Sequence, residues 1–203
     1  MKSVRDVRRE DLRERLVAAA EARIEAAGLA ALRARDVTAD AGCAVGALYT
    51  AFKDLDDLIV HVNSRTLSRL GASLDRQLTD KETPRARFQS LARAYFVFAR
   101  DNQALWRALF EHRMAPGNDV PDWHRAEQAV LIQHLVEPLA ILRPTLALPQ
   151  LLARARTLFS AVHGIVAISL EDRFVGLAPS DLEGELRLFV DAIVTGIEDS
   201  PQA

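Results

Sequence analysis

One sixteen-residue stretch, Val37 to Phe52 (VTADAGCAVGALYTAF), constrains this 203-residue chain more than any other. Gly42 falls between two short apolar-periodic segments, where a helix-turn-helix needs a residue that accepts a positive φ. After it, Val45, Leu48 and Phe52 recur at i, i+3 and i+7 with Tyr49 beside them, which commits one face of a short helix to a core. The opposite face carries Gly46, Ala47, Thr50, Ala51 and Lys53. Side chains this small let a helix backbone come close to a partner, and the major groove of DNA suits such a helix.

Helical periodicity continues on both sides. Leu12, Leu16, Ala20, Ile24 and Ala27 predict a first helix stopped by Gly28. Arg33 to Ala41 reads as the second helix and Ala44 to Lys53 as the third. Asp54 to Asp57 has capping-box spacing and opens a fourth, through Leu58, Val62, Leu67, Leu70 and Leu74 to about Leu78. After a polar break, Thr83-Pro84 starts a fifth helix marked by Phe88, Leu91, Tyr95 and Phe98. A short sixth holds Leu105, Trp106, Leu109 and Phe110, and Met114 to Pro121 is a loop. The seventh runs from Trp123 to Leu142 with a kink expected at Pro138. The eighth spans Gln150 to Phe174 and is apolar nearly all round from Thr157 to Leu170. Ser180-x-x-Glu183 then caps a ninth, striped by Leu182, Leu186, Phe189, Ile193 and Ile197. The expected fold class is all-α with about nine helices and no strand.

Several function classes lose their support. There is no G-x-G-x-x-G, G-x-x-x-x-G-K or G-x-S-x-G, and no E-x-x-H with which helical bundles build metal sites. The five histidines (61, 112, 124, 134, 163) are scattered over separate helices, so no metal, no cofactor and no enzyme activity is expected. Cys43 is the single cysteine, reads as a small hydrophobe in the turn, and fits a reducing compartment. The first residues are too charged for a signal peptide, and residues 157 to 170 fall short of the ~20 needed for a membrane span. A cytoplasmic protein without a membrane partner is the expectation. Charge does not advertise a nucleic-acid binder, since residues 1 to 60 hold ten basic against eleven acidic side chains. Only residues 1 to 15, with six basic and four acidic, form a local basic patch.

The residues of the opening stretch resemble the DNA-binding end of the TetR family of one-component transcriptional regulators. Val37, Ala41, Gly42, Gly46, Leu48, Tyr49, Phe52 and Leu58 match its pattern on spacing. Ala44 stands for the usual Ser, Ala47 for the usual Thr, and Leu55 for a phosphate-contacting Lys. Further on, Leu91 to Ala99 and Ala161 to Phe174 resemble the WHG type of TetR C-terminal domain, with His163-Gly164 present and Phe159 near the usual Trp position.

The resemblance implies a DNA-binding domain over residues 1–56 and a ligand-binding and dimerisation domain over 57–203. It implies a repressor that leaves a palindromic double-stranded operator when a small hydrophobic effector binds. Tyr49 and Lys53 are expected at phosphates, Arg35 and the N-terminal basic residues at the backbone, and Val45, Ala47 and Thr50 at bases, on the helix start formed by Ala44 and Gly46. Val45 and Ala47 reach only thymine methyls or groove shape, so direct readout is thin. The aromatics of the middle helices, Tyr95, Phe98, Trp106, Phe110, Trp123 and Phe159, are candidates for the effector cavity, with His124 and His163 among its polar groups. Arg107, Glu111 and His112 are further polar candidates. By its apolar surroundings His163 reads first as a satisfied interior or interface histidine, with a ligand hydrogen bond as the second reading. Leu158, Val162 and Ile165 with Leu186, Phe189, Val190, Ile193 and Ile197 are expected in a homodimer interface, because residues 157 to 170 carry more apolar surface than one core covers. The alternative is a helical ligand- or partner-binding protein that has lost DNA binding.

Overall fold

Ser3 starts the first helix earlier than the apolar pattern does. Its hydroxyl accepts from the Asp6 backbone N–H at 3.2 Å while the Asp6 carboxylate accepts from Ser3 N–H at 3.1 Å. This is a capping box with Asp in place of the usual Glu or Gln. The computed structural model describes residues 3–77, 83–171 and 175–199. Among them nine α-helices follow in order: α1 Val4–Ala27, α2 Ala34–Asp40, α3 Val45–Ala51, α4 Leu55–Asp75, α5 Pro84–Asp101, α6 Gln103–Glu111, α7 Asp122–Leu142, α8 Leu148–Leu170 and α9 Pro179–Asp199. A single 3₁₀ turn, Leu29–Ala31, follows α1, and no strand occurs among the described residues.

Two helix boundaries differ from the periodicity for local reasons. The Gln150 side-chain oxygen accepts from Ala147 N–H at 3.0 Å, so α8 begins at Leu148 with Pro149 in its first turn. α9 begins at Pro179, its first turn closed by backbone bonds from Asp181 and Leu182 to the Ala178 carbonyl. Ser180 therefore lies inside the helix, bonded to Asp181, and Glu183 pairs with Arg93 at 2.6 Å, so the expected Ser180–Glu183 box does not form. α7 continues through Pro138. The expected ends of the fourth helix at Leu78 and of the eighth at Phe174 lie outside the described residues.

The chain divides into two compact units. The first holds the residues up to Ser68 together with Asn102–Arg125. Its core joins Leu16, Ala20 and Ile24 of α1 to Val37 of α2, Leu48 and Ala51 of α3, Leu58 and Val62 of α4, and Leu105 and Ala108 of α6. The second holds Arg69–Asp101 and Ala126 onward, with α9 packed along α5 and against α8. Leu182, Leu186, Val190 and Val194 of α9, spaced i, i+4, are buried there. α4 belongs to both units, as Leu55 to Ser68 in one and Arg69 to Asp75 in the other.

Length gives α8 a property that residues 157–170 alone lack. At 23 residues it is long and apolar enough, by length and composition, to cross a membrane. Only 17% of its most apolar window is buried within the chain.

Candidate nucleic-acid interface and ligand cavity

The turn between α2 and α3 is made by backbone. Gly42 has φ 66°, and the amides of Gly42 and Cys43 donate to the carbonyls of Ala39 and Thr38 at 3.1 and 2.9 Å. The left-handed conformation at Gly42 is what lets α2 end and α3 begin within four residues. Two arginines of α1 then satisfy the helix ends. Arg15 Nη1 donates to the Ala41 carbonyl at 2.6 Å beyond α2, and Arg13 donates to the Ala51 carbonyl at the end of α3 while its guanidinium lies 4.2 Å over the Phe52 ring. Positive charge at a helix C-terminus is the favourable arrangement. These two members of the N-terminal basic patch are thus structural, and Arg5, Arg8 and Arg9 remain as exposed cations of α1.

α3 presents a nearly apolar outer face. Leu48 is fully buried. Val45, at the first helical position, is 42% exposed although its spacing assigned it to the core, and Ala51, assigned to the outer face, is buried. Val45 precedes the first full turn, so the core cannot cover it. Tyr49 is 56% exposed, one turn after Val45. Ala44, Gly46 and Thr50 are exposed as well, and Ala47 is half-buried. The Thr50 hydroxyl donates to the Gly46 carbonyl at 3.2 Å. Ala44 occupies the N-cap without a side-chain bond, where Ser would supply one. Arg35 is almost fully exposed. Lys53 Nζ donates to Asn118 Oδ1 at 2.8 Å.

The loop after α6 is tied to the start of α4. Asp56 accepts from the Ala115 amide at 2.9 Å and lies 3.1 Å from His112 Nε2. Burial pushes the Asp56 carboxyl up, but the Ala115 and His112 hydrogen bonds outweigh it and leave the group below the usual carboxylate value.

The second unit holds a partly open cavity of about 70 Å³. Leu70 and Leu74 of α4, Phe88, Leu91, Ala92 and Tyr95 of α5, and Leu131, His134 and Leu135 of α7 line it, with further side chains from α8 and α9. Two expected ligand residues, Tyr95 and Phe159, are in the wall, their rings edge to face at 5.5 Å. The Tyr95 hydroxyl meets His163 Nδ1 at 2.7 Å, and His163 stacks on Phe159 at 5.7 Å. Burial lowers the His163 pKa, against a smaller upward pull from Glu171. Phe98 is buried in α5 outside this wall.

The other expected ligand residues belong to the first unit. Trp106 is buried edge-on to Phe110, Trp123 stacks on His61 at 5.0 Å, and His124 is buried beside Trp123. Arg107, Glu111 and His112 belong there too. Conversely, Leu158, Val162, Phe189, Val190 and Ile193, expected in the dimer interface, line the cavity. Leu186 and Val190 are only 2% and 6% exposed in the single chain and have almost no surface for a second copy. Ile165 and Ile197 are half-buried. The large apolar residues that α8 and α9 expose, among the described residues, are Leu148, Ile168 and Leu188. Leu188 precedes the interior stripe residue Val190 by two positions, which put it on the outer side of the helix. No group of three or more metal-ligating side chains is gathered among the described residues.

Comparisons with known proteins agree with this layout. Residues 88–193, over half of the chain, match the tetracyclin repressor-like C-terminal domain family. No curated protein matches the sequence. Among solved structures, a protein of unknown function from Rhodococcus sp. RHA1 is 24% identical, with a TM-score of 0.73 over 91% of this chain and 94% of that one. A possible TetR family transcriptional regulator from Streptomyces coelicolor A3(2) is 16% identical, with a TM-score of 0.66 over 91% and 99%. A TetR variant from Acinetobacter baumannii AYE in complex with minocycline is 14% identical, with a TM-score of 0.65 over 90% and 94%. At these identities the likeness is one of fold. With the family match covering α5 to α9 and a helix-turn-helix ahead of it, the chain belongs to the TetR family of transcriptional regulators.

Proposed function

We propose that this protein is a homodimeric repressor that leaves a palindromic operator when a small apolar effector enters the second unit. The observation that carries the reading is α3, a helix led by a positive-φ turn whose outer face offers the small residues Ala44, Gly46 and Ala47 beside exposed Val45 and Tyr49. Residues 1–56 are the DNA-binding segment and 57–203 the effector and dimer segment. Ala44, Val45, Gly46, Ala47 and Thr50 approach base edges, Tyr49 and Lys53 hold phosphates, and Arg35 with Arg5, Arg8 and Arg9 adds backbone contacts. Phosphate contacts fix register, and this apolar surface leaves specificity to methyl contacts and groove shape.

The exposed faces of α8 and α9 pair two copies, with Ile168 and Leu188 at the centre and Leu158, Ile165 and Ile197 contributing from their half-buried positions. A two-fold pair places the two α3 helices at a major-groove repeat of ~34–36 Å. α4 is the coupling element, since it carries Leu70 and Leu74 of the cavity and Leu58 and Val62 of the other unit's core. The minocycline complex of a fold neighbour supports a small-molecule effector.

A gel shift with the DNA upstream of the gene, at two salt concentrations, tests this. A sequence-selective shift that weakens with salt is the expected result, with Lys53→Ala flattening the log–log salt slope by about one. No selective shift at low salt refutes it and favours a ligand-binding protein of the same fold, to which Ala44, Ala47 and the near-neutral front end point.

A further inference from the structure

We infer that the effector is a neutral molecule, carrying neither an acidic nor a basic group, and that it enters by pushing the cavity walls apart. This rests on the effector reading above and names the chemical class at that site. Among the described residues sixteen line the cavity, and none of these is Lys, Arg, Asp or Glu. Its two polar side chains are already engaged within the protein. The Tyr95 hydroxyl is 2.7 Å from His163 Nδ1. His134 has one ring nitrogen 2.9 Å from Asp75 Oδ1 and the other 3.1 Å from the Val130 carbonyl. An ionised ligand here would lose its water shell and find no Lys, Arg, Asp or Glu in the described lining to offset that loss. A carboxylate would also face the Asp75 anion behind His134, and an ammonium would find ring faces but no carboxylate among the described lining residues. A neutral ligand loses nothing comparable, and one oxygen of it suffices to join the Tyr95–His163 pair.

The free space of about 70 Å³ is about half of the roughly 150 Å³ that takes up benzene in an apolar protein cavity. Any occupant of that size therefore displaces lining side chains, including Leu70 and Leu74 on α4. Binding is then coupled to α4 by volume, not by charge.

The test uses three probes with closely matched skeletons: 2-phenylethanol, phenylacetate and 2-phenylethylammonium at pH 7. Binding to the full-length protein is measured by ligand-observed NMR titration, with operator binding followed by fluorescence anisotropy on the same samples. The alcohol is expected to bind at least tenfold more tightly than either ion. Ala92→Leu and Leu135→Phe, which fill the cavity from two helices, are expected to weaken the alcohol at least tenfold. Equal binding of either ion overturns the neutral class while leaving the effector site in place. Alcohol binding unchanged in both filled variants, or none in the parent protein, overturns the cavity assignment. Failure of the repressor reading shows separately, as absent operator binding in the parent protein.

Discussion

Two glycines four residues apart give opposite outcomes when each is replaced by alanine, and the contrast tests the helix-turn-helix geometry. Gly42 has φ 66°, and a Cβ built there meets nothing closer than Arg15 Nη1 at 3.9 Å, an ordinary contact. The penalty is therefore conformational: about 1–2 kcal/mol for an L-residue in the left-handed region. About 0.4–1 kcal/mol is returned by the reduced entropy of the unfolded chain. Gly42→Ala should lose about 1 kcal/mol net, near 2–4 °C in melting temperature for a chain of this size. Gly46 lies in α3 with nothing within 4 Å of its built Cβ. Gly46→Ala should gain up to about 1 kcal/mol from helix propensity. On DNA the order reverses. The Gly46 methyl stands on the face proposed to approach the groove and should weaken operator binding about tenfold, whereas folded Gly42→Ala should bind nearly as the parent does. Urea unfolding at fixed protein concentration gives the first quantity and fluorescence anisotropy the second. A Gly42→Ala protein as stable as its parent would refute the turn argument, and unchanged operator binding by Gly46→Ala would refute close approach.

Three further outcomes follow from burial and charge. Leu48 is fully buried in the core that α3 shares with α1 and α2, so Leu48→Ala should cost about 3 kcal/mol, seen as a lower urea midpoint. Asp56 has a depressed pKa in the folded state, so its contribution is present above the unfolded value of 3.8 and is lost as pH falls through the lower folded value. Asp56→Asn should cost about 1–2 kcal/mol at pH 7 and much less near pH 2, measured by thermal melting across pH. The His163 pKa is also lowered, chiefly by burial. For a histidine held neutral, stability is fully present above the unfolded value of 6.5 and declines as pH drops through the folded value. His163→Gln should flatten the melting profile between pH 7 and 5, and an unchanged slope would show that another group governs it.

Much of the fold was legible because its signals are local. Gly42 announced the turn by its position between two periodic segments, and Thr83-Pro84 and the Asp54–Asp57 spacing marked helix starts that the structure contains. The start of α1 was hidden because Ser3 pairs with Asp6, a residue the usual capping pattern omits. The site was less legible, because periodicity reports that a side chain is covered without saying by what. Leu186 and Val190 carry the same spacing whether they face α5 or a second copy. Trp106, Phe110 and Trp123 are apolar in the same way as Tyr95 and Phe159, yet they sit in the unit that contains the helix-turn-helix. What ties them to that unit includes the loop from Met114 to Pro121, whose Asn118 bonds Lys53 and Asp54, contacts that only the folded chain reveals.

The two arginines that cap α2 and α3 from α1 have a consequence for how such a protein searches a genome. Guanidinium groups held against Ala41 and Ala51 carbonyls are withdrawn from the pool that neutralises phosphates on arbitrary DNA. Each phosphate contact forgone lowers the salt exponent of non-specific binding by about 0.9. If the protein acts as the repressor proposed above, a front end near charge balance releases few counterions at non-operator sites. Operator occupancy would then be governed by the fit at the operator itself and by the number of free molecules.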